Sequence, residues 1–239
     1  MKISQQKEQT ICKMLFFRIE LTRSSLAGAD TTAETLTYIL WQISRPEFQY
    51  VQDKLRAEVK TIQYDSTGMP ELRPVDKLRY LDAVIKETLR IYPAIPMSEP
   101  RTAPPKGAEI YGYEIPAGTI CSLQPYTENR DPQVFPDPEK FDPERWMIDP
   151  ESEQYKLMNR TMWSFSSGGR MCIGLQYSLS RSPADCSLAM AQMQICLAAT
   201  YRKYYTRISP KTKDADMEVD DGITSAGPIV PSVLSTTNM

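Results

Sequence analysis

The spacing of apolar residues along the chain predicts several helices. Apolar side chains recur at helical intervals over residues 26–43, 44–62 and 75–92, and again from Met190 to Tyr204. The packing face of the third segment consists of Leu81, Val84, Ile85, Thr88 and Leu89. The packing face of the last consists of Met190, Met193, Leu197, Tyr201 and Tyr204. We therefore expect helices on both sides of a central region of different character.

The second helical segment opens with residues typical of a helix start. Ser44 fits the cap position, Pro46 fits the first turn, and Glu47 lies three residues after the serine. This spacing predicts a capping box, in which the serine and glutamate side chains satisfy free backbone N–H groups. We expect a helix that begins beside Ser44 and runs to about Ile62.

The central region predicts strands and irregular chain. Glu109 to Ile115 alternates in polarity and is followed by a Pro-Ala-Gly turn, which predicts short strands and a hairpin. Residues 129–150 hold five prolines and predict an irregular meander. The last thirty residues have the pattern of loops and short strands. The expected fold class is mainly α with small β-sheets.

Composition excludes several classes of protein. The 239 residues carry 28 basic and 30 acidic side chains, and a net charge of −2 argues against a nucleic-acid partner. Histidine is absent, which excludes imidazole metal sites, Ser-His and Cys-His nucleophile pairs, and heme held by histidine. The odd cysteine count without a CxxC pair fits a reducing compartment or a cytosol-facing protein. The cysteines are Cys12, Cys121, Cys172, Cys186 and Cys196. Without an apolar run of about eighteen residues, we expect no membrane span.

The most informative stretch runs from Phe165 to Gly174 and has the pattern FxxGxRxCxG. Its glycines permit backbone angles that a side chain forbids, and Gly174 lets a flat group approach closely. Arg170 places a positive charge two residues before Cys172, whose thiolate a following helix N-terminus would stabilise. This arrangement suits an axial heme ligand with a propionate nearby. A buried, unreactive cysteine in a glycine turn is the alternative for Cys172 alone.

Two further patterns carry candidate chemistry. In Ala27-Gly-Ala-Asp-Thr-Thr32, Asp30 and Thr31 place an acid beside an alcohol that together could relay protons to a bound oxygen species. The alternative is a helix start with Asp30 or Thr31 as the cap.

Glu87 and Arg90 stand three residues apart on one predicted helix, a spacing at which opposite charges pair. Most such pairs are solvated and contribute little to stability, and that is one alternative here. If the pair instead belongs to a buried triad, a second arginine is needed, and Arg145 in the meander is a candidate. Arg101, which precedes a predicted strand, could reach another anionic group.

In the order AGxDTT, ExxR, PERW and FxxGxRxCxG, these patterns closely resemble the cytochrome P-450 family of heme-thiolate monooxygenases. The resemblance implies that Cys172 is the axial iron ligand, that Arg170 and Arg101 bind heme propionates, and that Phe165 packs beside the cysteine loop. Gly174 belongs to the same heme-binding set.

The resemblance also assigns roles away from the cysteine loop. It implies that Asp30 and Thr31 serve oxygen activation, and that Glu87, Arg90 and Arg145 form a structural triad that holds the meander against the core. Residues 27–58 look most like filamentous-fungal members, which implies a setting in secondary metabolism.

The same resemblance implies the fold, the cofactor and the partners. The fold would be the C-terminal, heme-binding half of the cytochrome P-450 fold. The cofactor would be heme b, and a separate NADPH-dependent reductase would supply electrons for the reaction of O2 with an apolar small molecule. Family members sit at the endoplasmic reticulum membrane. A cytoplasmic location is the alternative, because we expect this chain to lack the membrane anchor.

The chain departs from the family pattern in two places. Members are about twice as long, so we expect residues 26–239 to form a partial domain after an irregular segment over residues 1–25. Residues 176–187 interrupt the helix that should follow Cys172, and they contain Pro183, a helix breaker. We interpret them as an insertion that could reflect translated non-coding sequence or a gene-model error.

Three functional hypotheses remain at this point. The first is a heme-thiolate monooxygenase, and the second is a truncated, catalytically inactive relative. The third is a heme-thiolate isomerase or dehydratase that needs no reductase, which the Asp30-Thr31 pair disfavours. The substrate cannot be identified from these residues, because most of a substrate pocket would lie elsewhere.

Overall fold

The computed structural model describes residues 27–172, 174, 188–209, 213, 217 and 233–236. The expected irregular segment over residues 1–25 and the proposed insertion over residues 176–187 lie outside this described part. Within the described part, no helix is both long and apolar enough to cross a membrane.

Helices dominate the described residues, as the apolar spacing predicts. The α-helices are α1 (27–44), α2 (Gln49–Val59), α3 (Leu72–Val75), α4 (Arg79–Ile91), α5 (Pro125–Glu128), α6 (Glu153–Thr161) and α7 (Leu188–Lys203). Short 3-10 helices cover Pro46–Phe48, Pro143–Met147 and Gly168–Arg170.

The strands form three antiparallel pairs. They are β1 (Glu99–Thr102) with β4 (Ile120–Leu123), β2 (Ala108–Ile110) with β3 (Tyr113–Ile115), and β5 (Tyr204–Arg207) with β6 (Val233–Thr236). The β2–β3 turn uses Tyr111 and Gly112, both with positive φ, which matches the right-handed twist of a two-residue hairpin. The expected fold class, mainly α with small β-sheets, is confirmed.

The main core lies between α1, α2, α4 and α7. Apolar side chains from all four helices are almost wholly buried there, because each helix turns one stripe inward. These include Ile39, Ile43, Val51, Leu55, Leu81, Val84, Ile85, Leu89, Met193, Leu197 and Tyr201. The core therefore holds α4 rigidly, and α4 carries the buried charges described below.

The predicted capping box at Ser44 is wrong. Ser44 ends α1, and its hydroxyl donates to the Thr206 hydroxyl rather than to the next helix. Glu47 instead pairs with Arg45 at 2.7 Å. The chain then passes through a 3-10 turn, and α2 ends at Val59, earlier than expected. Because Ser44 is buried, its hydroxyl bonds the Thr206 hydroxyl in the core and does not cap the next helix.

Two other boundaries differ from the pattern. The helix expected from Val75 begins only at Arg79, because Leu78 has an extended backbone that separates α3 from α4. Tyr204, expected on the last helical stripe, is the first residue of β5. Helical spacing thus extends slightly beyond the real helix ends in both places.

The N-terminus of α4 is capped from another helix. Leu78 supplies no side-chain cap. The Glu58 carboxylate accepts from the backbone N–H groups of Tyr80 at 2.9 Å and Leu81 at 2.8 Å. A carboxylate at this end also opposes the positive pole of the helix dipole. Glu58 therefore links α2 to the start of α4.

We expect Glu58→Ala to lower the free energy of unfolding by about 1–2 kcal/mol, because two N–H groups lose a charged acceptor. Urea unfolding followed by circular dichroism measures this change. Glu151→Ala is the matched control, since the Glu151 side chain is 85% exposed and, among the described residues, pairs only with Lys156 at 3.4 Å. Equal stability of the two variants would contradict the assigned cap.

Candidate functional site

The cysteine loop, residues 165–172, closes on itself at its base. The Cys172 N–H donates to the Phe165 carbonyl at 2.9 Å, and the Met171 N–H donates to the Gly168 carbonyl at 3.1 Å. Gly168 has a φ of +66°, a conformation that favours glycine. These contacts hold the backbone of Cys172 while its side chain remains exposed.

Among the described residues, nothing crowds the loop on the side of its glycines. A Cβ built on Gly168 or Gly169 would meet no described atom within 4 Å. A Cβ on Gly174 would lie 3.6 Å from the Cys172 sulfur, so glycine keeps the sulfur uncovered there. Gly174 has helical backbone, but the residues that would continue that helix lie outside the described part.

Phe165 anchors the loop to the protein interior. Its half-buried side chain packs against the main core. Because its carbonyl also accepts from Cys172, the position of the cysteine depends on the packed core.

Arg101 connects strand β1 to the cysteine loop. Its Nη2 donates to the Ser166 hydroxyl at 2.7 Å and to the Glu99 carboxylate at 3.2 Å. Arg170 lies in the 3-10 turn of the loop and is exposed. The structure thus places both candidate arginines on or against the segment that carries Cys172.

A heme with one thiolate ligand needs an exposed sulfur, room for a flat ring and cations for its carboxylates. The sulfur of Cys172, the open space at the glycines and the two arginines supply these features. The residues present therefore fit the cofactor that the sequence implies.

Glu87 and Arg90 form a fully buried ion pair, not a surface bridge. Both side chains have zero exposure, and Arg90 Nη2 lies 2.9 Å from Glu87 Oε1. Arg145 Nε lies 3.0 Å from the same oxygen, so the structure brings the three predicted residues together. The contact joins α4 to the 3-10 turn at Pro143–Met147, at the end of the meander.

Arg90 uses every hydrogen-bond donor of its guanidinium. Nε and one Nη2 hydrogen bind Glu87. The remaining hydrogens bind the carbonyls of Asn129 at 3.0 Å, Pro138 at 2.7 Å and Lys140 at 3.2 Å. One side chain on α4 therefore fixes three points of the meander.

Sequence reasoning missed two buried participants. Trp146 Nε1 donates to Glu87 Oε2 at 2.9 Å, and the PERW pattern contains this tryptophan beside Arg145. Asn129 Oδ1 accepts from the Trp163 N–H at 2.8 Å, and its Nδ2 donates to the Ser164 hydroxyl at 3.1 Å. Asn129 thus ties the start of the meander to the chain that enters the cysteine loop.

Asp30 and Thr31 lie inside α1, so the alternative of a helix cap is wrong. The Thr31 hydroxyl donates to the Ala27 carbonyl, four residues earlier on the same helix, at 2.6 Å. Asp30 is exposed. Among contacts between described residues, no hydrogen bond or ion pair joins either side chain to the cysteine loop.

A cavity of about 430 Å³ lies beside the cysteine loop, between α4, α6 and α7. Its lining includes Asp82, Lys86, Phe165, Ser166 and Met190. Burial lowers the pKa of Lys86, but the carboxylate of Asp82 and the hydroxyl of Tyr155 outweigh it and raise the net pKa. Lys86 therefore keeps its positive charge near the loop.

Comparison with known proteins identifies the family. The sequence model of the cytochrome P-450 family matches residues 5–228. The chain is 37% identical over 204 residues to the cytochrome P-450 monooxygenase tazI of Aspergillus terreus, covering 85% of this chain and 37% of that protein. It is 34% identical over 206 residues to the cytochrome P-450 monooxygenase stcB of Emericella nidulans, covering 85% of this chain and 36% of that protein.

The cytochrome P-450 monooxygenase orf2 of Aspergillus niger is 41% identical over 156 residues, which cover 64% of this chain and 29% of that protein. The matched residues thus span between 29% and 37% of the length of these relatives. The family match nevertheless extends over most of its residues. The chain belongs to the cytochrome P-450 family.

Proposed function

We propose that this chain forms the heme-thiolate part of a monooxygenase that inserts one oxygen atom of O2 into an apolar organic substrate. The observation that carries the proposal is the cysteine loop, whose backbone is fixed at Phe165 while the sulfur of Cys172 stays exposed. The relatives named above are monooxygenases, and this chain covers only part of each.

In this proposal, Cys172 would hold the iron of heme b through its sulfur. Arg101 and Arg170 bind the heme propionates, because a guanidinium offers a charged fork that matches a carboxylate. Phe165 fixes the loop, and Gly174 leaves room beside the sulfur. When bound, the heme supplies oxygen activation, which a thiolate ligand favours by donating electron density.

Asp30 and Thr31 handle protons in this proposal. The Thr31 hydroxyl donates its own proton to the Ala27 carbonyl, which leaves its oxygen free to accept a second hydrogen bond. The carboxylate of Asp30 is exposed to water. In this proposal the acid and the alcohol, neighbours on α1, together supply the proton that oxygen activation consumes.

Electrons come from NADPH through a separate reductase in this proposal, as the resemblance to the cytochrome P-450 family implies. The whole protein acts at the endoplasmic reticulum membrane, in fungal secondary metabolism. Glu87, Arg90 and Arg145 serve this function indirectly, because they hold the meander whose start binds the entry to the cysteine loop.

The test is a carbon-monoxide difference spectrum. The purified 239-residue chain is incubated with hemin, reduced and exposed to carbon monoxide. Thiolate-ligated heme gives a strongly red-shifted Soret band, and we expect that band from the folded chain. A folded chain that gives no such band would overturn the proposal and support a relative that does not bind heme.

A further inference from the structure

Ser166 has a backbone conformation that a serine adopts at a cost. Its φ is +59°, in the left-handed region where a Cβ crowds the backbone. Glycine would adopt this conformation freely, as Gly168 does two residues later. Strain of this kind persists where the side chain has a task that offsets it.

The task visible in the structure is a hydrogen bond to Arg101. The Ser166 hydroxyl accepts from Arg101 Nη2 at 2.7 Å. The same nitrogen donates to Glu99 Oε2 at 3.2 Å, and Nη1 donates to the Pro100 carbonyl at 3.0 Å. Contacts within the described part of the chain thus use three N–H groups and leave Nε–H and one Nη1–H for a ligand.

Ser166 also lies at the closed base of the cysteine loop. Its neighbour Phe165 accepts from the Cys172 N–H, and its own N–H donates to the Trp163 carbonyl at 3.0 Å. A hydrogen bond from Arg101 to Ser166 therefore sets the guanidinium relative to the backbone that holds the sulfur. Without that bond, only Glu99 and the local Pro100 carbonyl would orient the arginine.

We propose that Ser166 is a positioning residue that holds Arg101 at a fixed distance from Cys172, so that its free N–H groups meet a heme carboxylate. This inference rests on the proposed function, because it takes heme as the ligand. The inference assigns to Ser166 the task of orienting Arg101 through a hydrogen bond.

The test compares hemin with hemin dimethyl ester, in which the carboxylates are esterified and uncharged. We expect Ser166→Ala to weaken hemin binding roughly tenfold, because a charged hydrogen bond that orients Arg101 is lost. Binding of the dimethyl ester should be unchanged. Ser167→Ala is the matched control, since Ser167 is exposed and its side chain makes no cap contact.

Ser166→Gly separates positioning from stability. The glycine removes the hydroxyl but relieves the left-handed strain, so its thermal midpoint should equal or exceed that of Ser166→Ala. The hemin affinity of Ser166→Gly should nevertheless fall as much as that of Ser166→Ala. In an Arg101→Gln background, Ser166→Ala should have no further effect on hemin binding.

Each result has one interpretation. Equal loss of hemin and dimethyl ester binding, or an additive effect with Arg101→Gln, would overturn the positioning role. Unchanged hemin affinity in both Ser166 variants would also overturn the positioning role, but it would leave the proposed function intact. A wild-type chain that gives no thiolate band would instead overturn the proposed function, and the inference with it.

Discussion

Cys172→Ser is expected to abolish the red-shifted carbon-monoxide band of the reduced, heme-loaded chain. A thiolate is the donor that produces this band, whereas a serine hydroxyl is neutral at pH 7 and donates little electron density. The side chain is exposed, and its backbone N–H bonds Phe165 in either variant, so the fold should survive. Difference spectra and thermal unfolding of the same samples measure both effects.

The control is Cys196→Ser, because Cys196 is also exposed but lies on α7 rather than in the cysteine loop. We expect this variant to keep the full band. A band that persists in Cys172→Ser and disappears in Cys196→Ser would place the ligand on α7. Loss of the band in both variants would show that it does not report a single cysteine ligand.

The cysteine loop could be predicted from the sequence because its information is local. Glycines, an arginine and a cysteine lie within ten residues, and their spacing alone limits the backbone and the chemistry. The helices of the core could be predicted equally well, because a stripe of apolar residues repeats every three or four positions.

Contacts between distant residues could not be predicted in the same way. The Ser44 hydroxyl binds Thr206, which lies 162 residues further along the chain, and this contact replaced the expected cap. Glu58 caps a helix that begins 21 residues after it, and no cap residue in the local sequence indicates this. Helix and capping propensities describe a residue and its sequence neighbours. The Ser44 hydroxyl and the N–H groups at the start of α4 find their partners in distant parts of the chain.

The buried charges lie between these two cases. The spacing pairs Glu87 with Arg90, but spacing alone favoured a solvated salt bridge. In the structure both side chains are fully buried. Arg145 was a candidate because a buried pair needs a second arginine, and the family resemblance then assigned it to the triad. Trp146 was overlooked although it directly follows Arg145. The structure shows why the pair is buried: residues 129–142 of the meander form turns but no helix or strand, and Arg90 on α4 supplies donors for three of its carbonyls.

Arg90→Lys should therefore destabilise the chain severely although it keeps the charge. The guanidinium makes five hydrogen bonds, two to Glu87 and three to meander carbonyls. A lysine offers three donors on one nitrogen and cannot reach both sets. Buried carbonyls and part of a buried carboxylate would lose their partners. We expect the free energy of unfolding to fall by roughly 3–5 kcal/mol.

Arg79→Lys is the matched control, because Arg79 starts the same helix, is exposed, and donates a single hydrogen bond to the Ile148 carbonyl. Its unfolding free energy should change by less than about 1 kcal/mol. Urea unfolding of both variants measures the difference. A small effect for Arg90→Lys would mean that charge alone stabilises the meander. A large one would mean that the meander depends on the directional bonds of one guanidinium, since both residues carry the same charge.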